Sequence, residues 1–193
     1  KRHPEIDFII ELEGELGFVD LVKNLMNYDF NVSKLNRDAK KIINTCYLNE
    51  NNLVSGPINR IKDINIIPSP YLTGALDQYF QLPLIPMIET TRGCPFTCTF
   101  CADGLAIKNK INRYETQRTR EELQYIAKNI NKVDELIVTD LNFGMYKQDI
   151  ETAKEIANIQ KNYNYPVSVD APAGKNMPKR IIKIASIMKG WSM

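Results

Sequence analysis

The stretch "PMIETTRGCPFTCTFCADG", Pro86–Gly104, carries three of the four cysteines of this 193-residue chain. Cys94, Cys98 and Cys101 are separated first by three and then by two residues. Thiolates at such short spacing are typical ligands of iron–sulfur clusters and of zinc. A [4Fe–4S] cluster held by protein alone needs four thiolates, so three cysteines leave one iron open to an outside ligand.

The composition is that of an ordinary globular protein, with 44% apolar and 25% charged residues. A formal net charge of +2 gives no overall attraction to nucleic acid or membranes. No run approaches the roughly 20 apolar residues of a membrane span, and the start "KRHPEID" lacks the apolar region of a signal peptide. We therefore expect a cytoplasmic protein, in which cysteines favour metal or redox chemistry over disulfides.

From Pro83 onward, short apolar runs alternate with helical patterns. The predicted helices are "TREELQYIAKNI", with Thr119 as N-cap and Glu122 completing a capping box, "DIETAKEIANIQKN", and "NMPKRIIKIASIMKG", with Asn176 as cap. The predicted strands are "LIPMIETT", "DELIVTD" and "YPVSVDA". Successive βα units predict a parallel sheet, either in a barrel or in a doubly wound layer. The cysteines follow its first strand, at the carboxyl edge where barrel enzymes place their chemistry.

The upstream part of the chain follows a different pattern. Residues 1–30 contain "DFIIELEGELGFVDLVKNLM", which predicts a strand, a loop and an amphipathic helix. Residues 31–82 are interpreted as a linker, with a hairpin at "NTCYLNENNLVSG" around the polar turn "NENN". Residues 83–193 then form the βα region.

Two other kinds of cysteine site stay open on the residues alone. A zinc-stabilised binding domain needs a fourth ligand, and His3, the only histidine, is far away in the sequence. A non-catalytic iron–sulfur electron-transfer module normally has its fourth cysteine close by, whereas Cys46 lies in the predicted hairpin. The ligand count disfavours both alternatives.

The pattern C-x3-C-x2-C, with Phe100 before the third cysteine, resembles the signature of radical S-adenosylmethionine (radical SAM) enzymes. The resemblance implies an α/β fold in which residues 83–193 form the first half of a partial (β/α)6 TIM-like barrel. It also implies that Cys94, Cys98 and Cys101 hold a [4Fe–4S] cluster whose open iron is chelated by S-adenosylmethionine. Reductive cleavage of that cofactor would then drive methylation, cyclisation or another C–H conversion on an unknown substrate.

Three segments, "IPSPYLTGALDQYF", "PMIETTRGCPFTCTFCADG" and "TDLNFGM", are similar to the cobalamin-binding subfamily of these enzymes. That resemblance implies that residues 1–30 are the end of a Rossmann-like cobalamin-binding domain. Leu12 stands in "LEGE" where the subfamily usually has glycine. The cobalamin-ligating pattern D-x-H-x-x-G is absent from this sequence, so any cobalamin would bind mostly to residues upstream of it.

The resemblance also implies which side chains contact S-adenosylmethionine. The expected contacts are Phe100 beside adenine, Thr139, Asp140 and Asn142 at the methionine amino group, and Asp170 at the ribose or the substrate. On the residues alone, "TDLNFG" is equally typical of a strand-to-helix turn, and Phe100 of a core aromatic. Arg92 and Arg113 flank the cysteines, placed either to balance thiolate charge or to stay solvated.

We expect a small-molecule substrate and a reducing partner such as flavodoxin or ferredoxin. The basic run "KNKINR" has little aromatic interleaving and argues only weakly for nucleic acid. A barrel needs further strands beyond those predicted here, and a sheet that stops early leaves an unpaired edge. The chain by itself is therefore expected to bind a cluster poorly and to turn over little.

Overall fold

The computed structural model describes His3, residues 5–174 and residues 176–192. The outermost residues of the predicted first and last segments, and position 175, lie outside this description. The chain divides into two compact units, Lys1–Lys62 and Asp63–Met193. None of the helices described has both the length and the apolar character that a membrane crossing requires.

The first unit is built on an antiparallel sheet with the strand order β1-β2-β3. Its elements are β1 (Phe8–Ile10), α1 (Gly14–Met26), α2 (Val32–Arg37), β2 (Thr45–Asn49) and β3 (Asn52–Ser55). The predicted hairpin is present, with Asn49 paired to Asn52 around the turn. Because β2 also pairs with β1, residues 31–62 of the predicted linker belong to this unit, and the unit boundary follows Lys62.

The turn between β1 and α1 brings the helix close to a side chain of the strand. Leu12 has a φ of 61°, in the left-handed region that favours glycine. On the helix, a Cβ at Gly17 would lie 2.6 Å from Cγ2 of Ile10, so this position needs glycine for α1 to pack on β1. Glu13, at the helix start, is buried and accepts a 3.0 Å hydrogen bond from Nε of Arg60.

The second unit contains a parallel sheet with the strand order β4-β7-β8-β9, which confirms the predicted α/β class. Its elements are β4 (Met87–Ile88), β5 (Thr91–Arg92), β6 (Asn112–Arg113), α3 (Thr116–Asn129), β7 (Glu135–Val138), α4 (Gln148–Tyr163), β8 (Ser168–Asp170), α5 (Pro178–Ile187) and β9 (Trp191–Ser192). Short 3-10 turns lie at Ile64–Ile66, Asp77–Gln81 and Ala106–Lys108. The strands β5 and β6 pair with each other in an antiparallel ribbon.

One apolar face of each long helix covers the parallel sheet. Leu123 and Ile126 of α3 and Ile156 of α4 are fully buried, at the helical spacing that the sequence predicts. They join Leu136 and Val138 of β7 in a single core cluster. The core therefore lies between the helices and the sheet.

The predicted start of α3 is wrong by one turn. The helix begins at Thr116 with Glu115 as its N-cap, so Thr119 is a buried residue inside the helix. Its amide donates to the carbonyl of Glu115, and Arg118 donates from Nε to Glu122 at 3.0 Å. This i,i+4 ion pair stabilises the extra turn.

The predicted cap of α5 is also displaced by one position. The N-cap is Met177 rather than Asn176, and Pro178 occupies the first turn as predicted. Proline is favoured there because the first amides of a helix have no intrahelical partner.

Candidate active site

The cysteines lie in one long loop, residues 93–111, which we call the cysteine loop. It connects β5 to β6, and the pairing of Thr91 with Arg113 and of Arg92 with Asn112 holds its two ends together. Because β5 directly follows β4, the loop leaves the carboxyl edge of the parallel sheet. This is the predicted position, at the edge where parallel α/β folds bind their ligands.

Two glycines allow the cysteine loop to fold tightly on itself. A Cβ at Gly104 would clash with the carbonyl of Cys98 and lie 3.0 Å from its amide nitrogen. Gly93 has a φ of 101°, and a Cβ there would clash with the carbonyl of Lys110. Both contacts are with backbone, which has little freedom to move away. The loop shape therefore depends on glycine on both sides of the cysteines.

Cys94, Cys98 and Cys101 are free thiols. Cys98 and Cys101 are exposed, and Cys94 is half-buried. The amide of Cys101 donates to the carbonyl of Cys98 at 3.1 Å, and the amide of Asp103 donates to Sγ of Cys101 at 3.4 Å. A backbone N–H directed at sulfur is a typical surrounding of a cluster-ligating thiolate.

The three sulfur atoms belong to the same loop, but they are not grouped closely around one common point. Across the part of the chain that the structure describes, no three His, Cys, Asp or Glu side chains are grouped closely enough to hold a metal ion. The donor chemistry still fits an iron–sulfur cluster, because three accessible thiols lie within eight positions of one glycine-shaped loop.

The loop after β7, residues 139–147, lies beside the cysteine loop; we call it the second loop. Its Asp140 is 2% exposed and accepts hydrogen bonds from the amides of Thr90 at 2.7 Å and Thr91 at 3.0 Å, and from the Thr90 hydroxyl. Burial raises the pKa of Asp140 to about 6, against the lowering effect of these bonds. Asp140 thus anchors the segment that leads into the cysteines, while its predicted cofactor contact stays a prediction.

Two more of the predicted contact residues belong to the second loop. The exposed Thr139 donates from its amide at 2.8 Å and from its hydroxyl at 3.1 Å to the carbonyl of Ile88, at the end of β4. The side-chain amide of Asn142 donates to Sγ of Cys94 at 3.2 Å. The fold therefore brings both residues to the cysteine side of the sheet, and Asn142 contacts a cysteine directly.

The remaining predicted contacts are exposed. Asp170 ends β8 and lies opposite Ile137 of β7 in the sheet register. Phe100 is 81% exposed, so it is not a core aromatic. A solvent-facing ring beside the third cysteine is available to a planar ligand.

The flanking arginines have partners other than thiolates. Arg92 forms a 2.7 Å ion pair with Glu89. Arg113 places its guanidinium 3.9 Å from the ring centroid of Tyr146 and donates to Oε1 of Gln148 at 2.6 Å. The sequence prediction missed Tyr146, and no spacing could have revealed it, because this contact joins β6 to the second loop.

Comparisons with known proteins place the site in a family context. A family model described as the Radical SAM superfamily matches residues 88–188. The chain is 28% identical, over 98% of its length, to the 2-(S-pantetheinyl)-carbapenam-3-carboxylate methyltransferase of Streptantibioticus cattleyicolor. It is 27% identical, over 99% of its length, to the cobalamin-dependent radical SAM methyltransferase TokK of Streptomyces tokunonensis. It covers 27% of each protein, and so spans about a quarter of the length of these curated relatives.

A solved structure has a similar fold. The chain matches the cobalamin-dependent S-adenosylmethionine radical enzyme OxsB, with aqua-cobalamin and S-adenosylmethionine bound, at a TM-score of 0.57 and 20% identity. The match covers 88% of this chain and 23% of that one. At this identity the likeness shows the fold alone.

Proposed function

Because the chain belongs to the Radical SAM superfamily, we propose that Cys94, Cys98 and Cys101 hold a [4Fe–4S] cluster whose remaining iron is left to S-adenosylmethionine. The prediction of a radical SAM enzyme is confirmed by the family match, which also supports these two cofactors. The observation that carries the proposed site is the triad itself: three thiols in one glycine-shaped loop at the carboxyl edge of a parallel sheet.

When bound, the cluster supplies the electron that cleaves S-adenosylmethionine and begins radical chemistry. The chain's own residues position the reactants. Asp140 holds Thr90 and Thr91, and with them the backbone that enters the cysteine loop. Asn142 donates a hydrogen bond from its side-chain amide to the sulfur of Cys94.

Contacts with S-adenosylmethionine are assigned to groups around the triad. The ring of Phe100 is assigned to the adenine. Thr139 and Asp170 are exposed polar residues at the ends of neighbouring strands. Thr139, Asp140 and Asn142 are assigned to the methionine amino group. Asn142 donates to Cys94, and Asp140 lies in the same loop. These assignments follow from the resemblance, and exposure at the carboxyl edge of the sheet supports those of Thr139 and Asp170.

We propose that the second unit is part of a (β/α)6 barrel. Its parallel strands follow one another in chain order, and α3 packs on α4 as α4 packs on α5. Consecutive helices that contact each other lie on the same face of the sheet, as in a barrel. A doubly wound sheet would instead reverse its strand order and use both faces.

We further propose that residues 1–30, within the first unit, are the end of a Rossmann-like cobalamin-binding domain. The strand β1 leads through a tight turn into α1, and Leu12 has the left-handed backbone at the position where the subfamily has glycine. A relative named as cobalamin-dependent matches across this unit as well as the second one.

The reaction that fits these relatives best is methyl transfer to carbon on a small molecule. Both curated relatives that match along the whole chain are named methyltransferases. Cyclisation and other C–H conversions use the same cluster and stay as alternatives within the proposal. The reducing electrons would come from a protein such as flavodoxin or ferredoxin.

Anaerobic reconstitution tests the proposal. Because the proposed barrel needs further strands, the experiment uses the full-length polypeptide that carries this chain. We expect the absorption of a [4Fe–4S] cluster, and an electron paramagnetic resonance (EPR) spectrum of the reduced cluster that changes when S-adenosylmethionine is added. A cluster that is indifferent to S-adenosylmethionine would identify an electron carrier, and a colourless protein with one metal per chain would identify a zinc domain. Either result would overturn the proposal.

A further inference from the structure

The cysteine loop is held in place by little packing. None of residues 93–111, all of which the structure describes, is buried. Even the large apolar side chains of Leu105 and Ile107 are exposed. A loop without buried side chains opens readily, because few contacts oppose its conformational entropy. The positions of its cysteines therefore depend on contacts within the loop and at its two ends.

One ion pair joins two turns of this loop. Nζ of Lys108, in the 3-10 turn Ala106–Lys108, donates to Oδ1 of Asp103 at 2.8 Å. The two side chains are 34% and 32% exposed, so water covers the pair only in part. We call the ion pair of Lys108 with Asp103 the clasp.

The Lys108 end of the clasp contacts the backbone of the first cysteine. The amide of Cys94 donates to the carbonyl of Lys108 at 3.2 Å. The preceding residue also lies against this carbonyl, since a Cβ at Gly93 would be 3.1 Å from its oxygen. The position of the turn that carries Lys108 therefore fixes the position of the Cys94 backbone.

The Asp103 end of the clasp contacts the third cysteine. The amide of Asp103 donates to Sγ of Cys101 at 3.4 Å, and the amide of Gly104 donates to the carbonyl of Cys101 at 3.0 Å. Through Lys108 and Asp103, the clasp thus connects two cysteines that are seven positions apart in the sequence.

We propose that Lys108 and Asp103 are positioning residues, whose ion pair holds the backbones of Cys94 and Cys101 in one loop conformation and so slows the loss of iron from the cluster. The inference rests on the proposed function. Ligands that are ordered before binding lose less conformational entropy when they bind, which strengthens the complex. Because the clasp is partly exposed, its contribution is modest and is screened by salt.

The test measures the rate of iron loss to a chelator from the reconstituted full-length polypeptide. Lys108→Met removes the clasp but keeps the carbonyl that accepts the amide of Cys94. We expect iron to be lost about fivefold faster, the upper end of what a partly exposed ion pair contributes. Lys108→Arg keeps the positive charge and should lose iron at close to the wild-type rate. The matched control is Lys110→Met, which removes the same charge from an exposed position of the same loop and should behave like wild type.

Two further measurements separate the clasp from a general disturbance of the loop. Asp103→Ala should match Lys108→Met, and the double variant should lose iron no faster than either, because all three lack the same contact. Raising the salt concentration from about 0.1 M to 1 M shortens the screening length from about 10 Å to 3 Å. Salt should therefore accelerate iron loss from wild type and Lys110→Met, but not from the variants without the clasp.

A measurement without iron examines the same contact. In the iron-free polypeptide, hydrogen exchange at the amide of Cys94 reports how often this amide leaves the carbonyl of Lys108. We expect exchange about fivefold faster in Lys108→Met than in Lys110→Met, because the same ion pair stabilises the closed loop.

The outcomes separate this inference from the proposed function. A wild-type protein that assembles no cluster overturns the proposed function and this inference with it. If wild type holds a cluster and Lys108→Met loses iron at the rate of Lys110→Met, the inference alone is overturned. Effects that multiply in the double variant, to about 25-fold, also overturn the inference, because the two side chains would then act separately.

Discussion

The cysteine loop and the second loop leave the same edge of the sheet but differ in what their side chains do. In the cysteine loop, Cys98, Phe100 and Cys101 are exposed and the backbone is shaped by glycines. In the second loop, by contrast, Asp140 is buried, and the side-chain amide of Asn142 donates to Cys94 of the cysteine loop. The proposed ligands and the residues that position them therefore belong to different parts of the chain, and the predictions below test that division.

The largest effect is expected from the ligands. Replacing Cys94, Cys98 or Cys101 by alanine should abolish cluster assembly and S-adenosylmethionine cleavage, because two thiolates cannot hold the cluster. Iron per chain and release of the nucleoside product measure both properties. Cys46→Ala, in the first unit, is the matched control and should load iron normally. If any of these three cysteine variants loaded iron normally, the division between ligands and positioning residues would be wrong.

The second-largest effect is expected from Asp140, which holds the segment that leads into the cysteine loop. Asp140→Ala leaves the amides of Thr90 and Thr91 without their acceptor, and buried donors of this kind cost about 1–3 kcal/mol each. We expect a loss of about 2–4 kcal/mol in the free energy of unfolding at pH 7, measured by urea denaturation. Asp140→Asn, whose oxygen can still accept both amides, should lose much less. Equal losses in the two variants would show that the carboxylate charge, rather than the anchoring bonds, matters.

The buried carboxyl also makes the stability of the fold sensitive to pH. Because burial raises the pKa of Asp140 to about 6, the folded state binds this proton more tightly than the unfolded chain does. Its contribution to stability is full below about pH 4 and is lost as the pH rises through about 6. A difference of about two units between the pKa of Asp140 in the folded and unfolded states corresponds to about 3 kcal/mol of stability.

The difference between wild type and Asp140→Asn isolates this contribution from those of other groups. The unfolding free energy of wild type should fall relative to that of Asp140→Asn between about pH 4 and pH 6, and then stay parallel to it. Parallel curves over the whole range would mean that Asp140 titrates normally in the folded protein.

The smallest effect is expected from the shape of the cysteine loop. In Gly104→Ala, the new methyl group would clash with the carbonyl of Cys98, so the loop must shift. We expect iron retention against a chelator to weaken about tenfold, the lower end of the effect of changing residues that hold metal ligands in place. Gly14→Ala is the control, because nothing lies within 4 Å of the added methyl group. If Gly104→Ala retained iron as tightly as this control, the loop would tolerate reshaping.

Local patterns were sufficient for the α/β class, the apolar faces of α3 and α4, and the hairpin of the first unit. They failed at the helix starts, because Thr119 suits a cap but the i,i+4 pair of Arg118 and Glu122 favours an earlier start. They also treated Phe100 as either core or ligand contact, and only the fold showed it exposed.

The sequence by itself determined the family of this protein and the proposed cluster ligands, because the three thiols lie within eight consecutive positions and their spacing is visible without a fold. Only the tertiary structure decided what surrounds them. The contacts of Asp140 with Thr90 and Thr91 and of Asn142 with Cys94 join residues about fifty positions apart. Such pairs follow no helical or strand period, so they become visible only when parallel pairing places the ends of β4 and β7 side by side.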